Sequence, residues 1–155
     1  MRKHYKDITC IENSQRLVIL NEFRDLVKIY FENSNLNMIS GQYIEKQEAI
    51  EARASISLLT KEAYELIRLA DIKTYTVSNS LHSSSYGRSM DIILNIFNLD
   101  RNNIPLSVAI DYIERAIDVY KANRIFSFIR TINPFYWLKT LWKMWFKGQL
   151  RESYM

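Results

Sequence analysis

The sequence predicts an all-α fold, and three observations carry that prediction. Three glycines and two prolines in 155 residues are too little turn chemistry for a many-stranded sheet. Apolar residues recur at three- and four-residue steps over several long stretches, the period of a helix with one buried face. At 48% hydrophobic and 25% charged residues the chain can close one core, and it is too short to close two comfortably. The expected architecture is a three-helix core over residues 1–132, its second helix either continuous or broken. An amphipathic C-terminal helix over residues 133–155 follows an Asn-Pro hinge and belongs to the same domain.

A first helix is expected from an N-cap at Asn13 or Ser14 to about Glu32. Leu17, Leu20, Phe23, Val27 and Tyr30 trace one face, with Arg16, Glu22, Arg24, Asp25 and Lys28 on the other side. "ENSNLNMISG" reads as a connection. A second helical region covers about 42–72, with Ala52, Ile56, Leu59, Ala63, Leu66, Ile67 and Ala70 in a stripe. Thr60 before Lys61-Glu62 marks a place where the chain can recap and turn. Glu45, Glu48 and Glu51 give that helix a solvated acidic side.

Between 73 and 103 the pattern loosens. "TYTV" has local β propensity, "SNSLHSSSYGRS" (78–89) is a Ser-rich loop and "MDIILNIFNL" is a short apolar segment. The third helix is expected within "NNIPLSVAIDYIERAIDVYKANRIFSFI", with Pro105 near its first turn and Leu106, Ala109, Ile110, Ile113, Ala116, Ile117 and Tyr120 at helical spacing. Asn133-Pro134 then interrupts the run, since Asn caps a helix well and Pro suits its first residue.

Cys10 is the single cysteine, so no intrachain disulfide forms and a reducing, cytoplasmic location is expected. "MRKHYKDITC" has no apolar core of a signal peptide. No run of about 18 apolar residues occurs, so no transmembrane helix is expected; the nearest stretch, 124–146, is interrupted by Arg130, Pro134, Lys139 and Lys143. His4 and His82 are the two histidines and the glycines Gly41, Gly87 and Gly148 are isolated. Neither a metal site nor a phosphate loop is indicated, and no cofactor is expected. His82 beside Ser83, Ser84 and Ser85, with Asp91 nearby, has the composition of a loop and not the spacing of a nucleophile elbow, so the chain is expected to be non-catalytic.

Charge points to the C-terminal region. Lys121, Arg124, Arg130, Lys139, Lys143, Lys147 and Arg151 occur there with no acidic residue between 121 and 151, leaving 14 of the 21 basic residues against all 17 acidic ones elsewhere. "NPFYWLKTLWKMWFKG" holds all three tryptophans. On a helix at about 100° per residue, Lys139, Lys143 and Lys147 fall at about 40°, 80° and 120° from Phe135. Trp137, Leu138, Leu141, Trp142, Trp145 and Phe146 fill the opposite, wider arc.

That separation suits a helix lying in a membrane interface, with tryptophans at the boundary and lysines on lipid phosphates. Each lysine near an anionic leaflet contributes about 1 kcal/mol, and each large apolar side chain fully buried about 1.5–3 kcal/mol. The expected contact set is Arg130, Phe135, Trp137, Leu138, Lys139, Leu141, Trp142, Lys143, Trp145, Phe146 and Lys147, docking at the inner face of the membrane on anionic lipid or beside a membrane protein. The same aromatic face also fits the body of the protein, a partner or a second copy in a homo-oligomer. Nucleic acid fits less well, because rings and amines point in opposite directions whereas a strand-tracking groove needs both on one surface.

"DYIERAIDVYKANRIFSFIRTINPFYWLKTLW" (111–142) resembles the C-terminal stretch of a group of uncharacterised bacterial proteins with a Glu-Arg-Ala-Ile, Val-Tyr, Arg-x-x-Asn-Pro-Phe-x-Trp-Leu pattern. "EARASISLLTKEAYELIRLADI" (51–72) resembles their preceding helix. The resemblance implies membrane association for residues 133–142 and assigns no activity. The longer apolar continuation associated with that group is missing from this sequence.

Overall fold

A computed structural model describes residues 3–37, 43–73, 76–78, 89–99, 104–138 and 142. The fold is mostly helical, as expected, with α1 (Cys10–Glu32), α2 (Gln47–Leu69), α3 (Leu106–Ala122) and α4 (Arg124–Ile132). Two antiparallel strand pairs are added to it. β1 (Ser34–Leu36) pairs with β2 (Tyr43–Glu45) in the α1–α2 connection, and β3 (Thr76–Ser78) pairs with β4 (Ser89–Asp91) after α2. The loop 79–88, with His82 and its serines, lies outside the described residues.

α1 starts earlier than expected because the capping signal is Thr9-x-x-Glu12. The Thr9 hydroxyl accepts the Glu12 amide at 3.3 Å while the Glu12 carboxylate accepts the Thr9 amide at 2.8 Å. Asn13 is therefore inside the helix, not at its cap, and it is buried. α2 runs through Thr60 without a break: that hydroxyl donates to the Ile56 carbonyl at 2.6 Å, so it serves the preceding turn rather than starting a new helix. α2 ends in a Schellman motif, with Ile72 N donating to Ile67 O and Asp71 N to Arg68 O. Asp71 takes φ 60° there, a left-handed position that Asp tolerates better than most residues.

The long third helix expected from the sequence is two helices. α3 ends at Ala122, and Asn123 is both its C-cap and the N-cap of α4. α1 packs against α2, α3 and α4, and α2 against α3. The core is made where the periodic stripes meet: Leu20, Phe23, Val27 and Tyr30 of α1, Ala52, Ile56, Ala63 and Ile67 of α2, and Ala109, Ile113, Ala116 and Ile117 of α3. Ile92, Ile93, Ile96 and Leu99 of the segment after β4 join it, which explains that short apolar run. The first strand pair is tied down by Glu45, which accepts hydrogen bonds from the Tyr30 hydroxyl (3.0 Å) and Arg53 (2.9 Å). No described helix is long and apolar enough to cross a membrane.

Candidate contact surface

α4 packs with its polar side inward. Ser127 is fully buried, whereas Ile125, Phe126, Phe128, Ile129 and Ile132 are 53–70% exposed. On the helix these five apolar residues span about 160° of arc, with Ser127, Arg130 and Thr131 opposite. Amphipathic helices ordinarily bury their apolar stripe. Here hydrogen bonds to the N-terminal segment and α1 fix the reverse arrangement.

Those bonds form a continuous polar seam. The Asn13 amide donates to Tyr120 O at 3.0 Å, and the Asn123 amide donates to Tyr5 O at 2.7 Å and to Asn13 Oδ1 at 3.3 Å. Arg130 Nη2 donates to Asn123 Oδ1 at 2.9 Å and Arg130 Nε to Ile8 O at 3.0 Å. The Thr131 hydroxyl accepts the Cys10 amide at 2.8 Å and donates to Ser127 O. Burying these groups without partners would cost about 1–3 kcal/mol each, so the seam dictates which face of α4 meets the body. Arg130, expected as a headgroup partner, is correspondingly redirected: two of its donors hold the N-terminal segment and Asn123.

The Asn-Pro junction forms as its residue types require. Asn133 is extended (φ −72°, ψ 111°), its side-chain oxygen accepts the Phe135 amide at 2.9 Å, and residues 134–138 and 142 are helical. Two side-chain bonds fix the first turn of this tail. The Tyr136 hydroxyl donates to Asp7 O at 2.6 Å, and the Trp137 indole N–H donates to Thr131 O at 2.9 Å. Tyr136 and Trp137 also meet edge to face, with centroids 5.9 Å apart.

Of the expected contact residues, Phe135, Leu138 and Trp142 are exposed, Trp142 by 63%, and they share about 60° of helical arc. Trp137 is 43% exposed, its indole N–H already paired. Lys139, Leu141, Lys143, Trp145, Phe146 and Lys147 lie outside the described residues.

Sequence reasoning missed the exposed face of α4. Its period was legible, but period says nothing of which side meets the body. Also missed was the N-terminal 3₁₀ turn Tyr5–Asp7, which packs on α4 and brings Lys6 to the same region as Lys121 and Arg124.

Elsewhere, a cleft of about 220 Å³ is lined by Glu12, Arg16 and Glu62 among others. Arg16 is engaged there with Lys3 O (2.7 Å) and the Tyr120 hydroxyl (3.2 Å). Burial raises the Tyr120 phenol above its ordinary pKa although Arg16 opposes the shift. Burial, then the hydrogen bond to Glu45, raises Tyr30. Among the described residues no group of three His, Cys, Asp or Glu is placed to hold a metal ion. No family model, curated protein or solved structure matches the chain.

Proposed function

We propose that this is a non-catalytic helical protein that associates peripherally with the cytoplasmic face of a membrane through its basic, Trp-rich C-terminal helix. The observation that carries the reading is the exposure of Phe135, Leu138 and Trp142 on one side of the tail, beyond a capped and hydrogen-bonded hinge. Immersing even half of each side chain contributes about 1 kcal/mol apiece, and Lys139, Lys143 and Lys147 add about 1 kcal/mol each near an anionic leaflet. A sum of about 6 kcal/mol, reduced by lost rotational freedom, is the range of reversible binding. The proposal takes up the resemblance of residues 111–142 to bacterial membrane-associated proteins.

Co-sedimentation with phosphatidylserine-containing vesicles tests it. Binding is expected to fall with added salt and in a Lys139→Glu, Lys143→Glu, Lys147→Glu variant, and in Leu138→Glu, Trp142→Glu. Equal pelleting of all three proteins overturns the reading. A stable, detergent-independent oligomer in light scattering, with no vesicle binding, replaces it with a self-associating interaction module.

A further inference from the structure

The tail is not the whole of the exposed apolar surface. α4 presents five large apolar side chains, each more than half exposed, on a helix whose polar side is locked to the body by the Asn13–Asn123–Arg130 seam. Because Arg130 and Thr131 are bonded inward, rotating α4 to hide its apolar face would strip the seam of its partners. The exposed face is therefore a built feature of the fold.

We infer that α4 is a second membrane-inserting element, lying in the plane of an anionic leaflet between the lipid and the helical body. The inference rests on the membrane reading of the tail and adds an independent surface to it.

Charge identifies the occupant. α4 opens with Arg124 and is preceded by Lys121, both exposed, and the 3₁₀ turn packed beside it carries exposed Lys6. Acidic groups around the turn and α4 include Asp7, also exposed, Asp118, which is paired with Lys121 at 3.8 Å, Glu12, which is bonded to Thr9 and Lys3, and Asp71, which is bonded to His4 at 2.9 Å. From 121 to 151 the chain carries seven basic residues and no acidic one. A second copy packed face to face on α4 would bring the exposed cations beside that helix, Arg124 and Lys6, towards their own counterparts. An anionic lipid surface supplies the opposite charge and an apolar layer below it, which is what a helix with apolar residues outward and cations at its edge requires.

The experiment labels single cysteines with an environment-sensitive fluorophore in a Cys10→Ser background, which keeps the Cys10 backbone bond to Thr131. Ile129→Cys reports on α4 and Leu138→Cys on the tail. Leu58→Cys, 84% exposed on α2, is the aqueous control. With phosphatidylcholine vesicles containing phosphatidylserine, emission at 129 and 138 is expected to shift to the blue while 58 stays unchanged. Because Ile125 and Ile129 are exposed, Ile125→Glu, Ile129→Glu should keep the native circular dichroism spectrum and lower vesicle partitioning by at least about tenfold.

A shift at 138 without one at 129 overturns the role of α4 and leaves the tail reading standing. No shift at either position overturns both. A shift at 129 that needs no vesicles and grows with protein concentration assigns the face to a second copy instead.

Discussion

Arg130 gives the sharpest test of the seam, because the sequence points its charge at lipid and the structure points it at the protein. Arg130→Met keeps the aliphatic stem, which can go on packing, and removes the hydrogen bonds to Ile8 O and Asn123 Oδ1. Hydrogen bonds from a charged donor contribute about 1.5–3 kcal/mol each, and Asn123 is almost fully buried, so its oxygen is left without that donor. Arg130 itself is half-buried, and the lower end of the range applies to both bonds, giving about 3 kcal/mol. For a chain of this length that lowers the unfolding midpoint by about 6–12 °C. Thermal unfolding followed by far-UV circular dichroism measures it, with vesicle co-sedimentation below the transition in parallel. An unchanged midpoint with weakened vesicle binding would refute the seam and return Arg130 to the lipid.

Other perturbations bear on the frame that holds this surface. Tyr120→Phe leaves the Leu66 carbonyl and Arg16 without the buried hydroxyl they share, and denaturant unfolding is expected to show a loss of about 2–3 kcal/mol. Thr9→Ala removes one half of the capping box, with an expected loss of about 1 kcal/mol and faster amide exchange in the first turn of α1. Glu12 feels burial, which opposes ionisation, but the Thr9 amide, the Lys3 charge and the Thr9 hydroxyl together bring its carboxyl below the ordinary value. Its contribution is thus present above the unfolded carboxylate pKa and lost as pH falls through the lowered folded one. Glu12→Gln should remove that portion of acid sensitivity in pH-dependent unfolding. Tyr30 and Tyr120 have raised phenol pKa values, so stability is intact below the ordinary value near 10 and falls as pH rises past it. Ultraviolet titration should show both ionising together with unfolding rather than before it.

The helical stripes of α1, α2 and α3 were legible because each meets the others with its apolar side, as period alone implies. Punctuation was harder. Thr60 reads as a cap in sequence but bonds back to Ile56, and Asn123 reads as mid-helix but bonds across to Tyr5, a contact with a sequence separation of 118. The capping box at Thr9 and Glu12 was present in the letters and passed over in favour of Asn13. The orientation of α4 was not legible at all. Hydrophobicity predicts that Ile125, Ile129 and Ile132 turn inward, and what reverses this is a set of partners on the N-terminal turn and α1 that local sequence does not announce. At the hinge, by contrast, Asn133 and Pro134 each have one favoured place at a helix start and take it. Of the contact residues expected in the tail, Phe135, Trp137, Leu138 and Trp142 fall within the described residues.

The polar seam also bears on the order in which the chain matures. Its long-range bonds join residues near position 10 to residues near 120–130, with separations of 107 to 122. α1 and α2 can meet early in synthesis, but Arg130 reaches the ribosomal exit only after every other helix of the bundle has done so. Asn13 waits for Tyr120 and Asn123, and the Ile8 carbonyl for Arg130, so closing the two ends of the bundle and setting its greasy side outward fall together, late in synthesis.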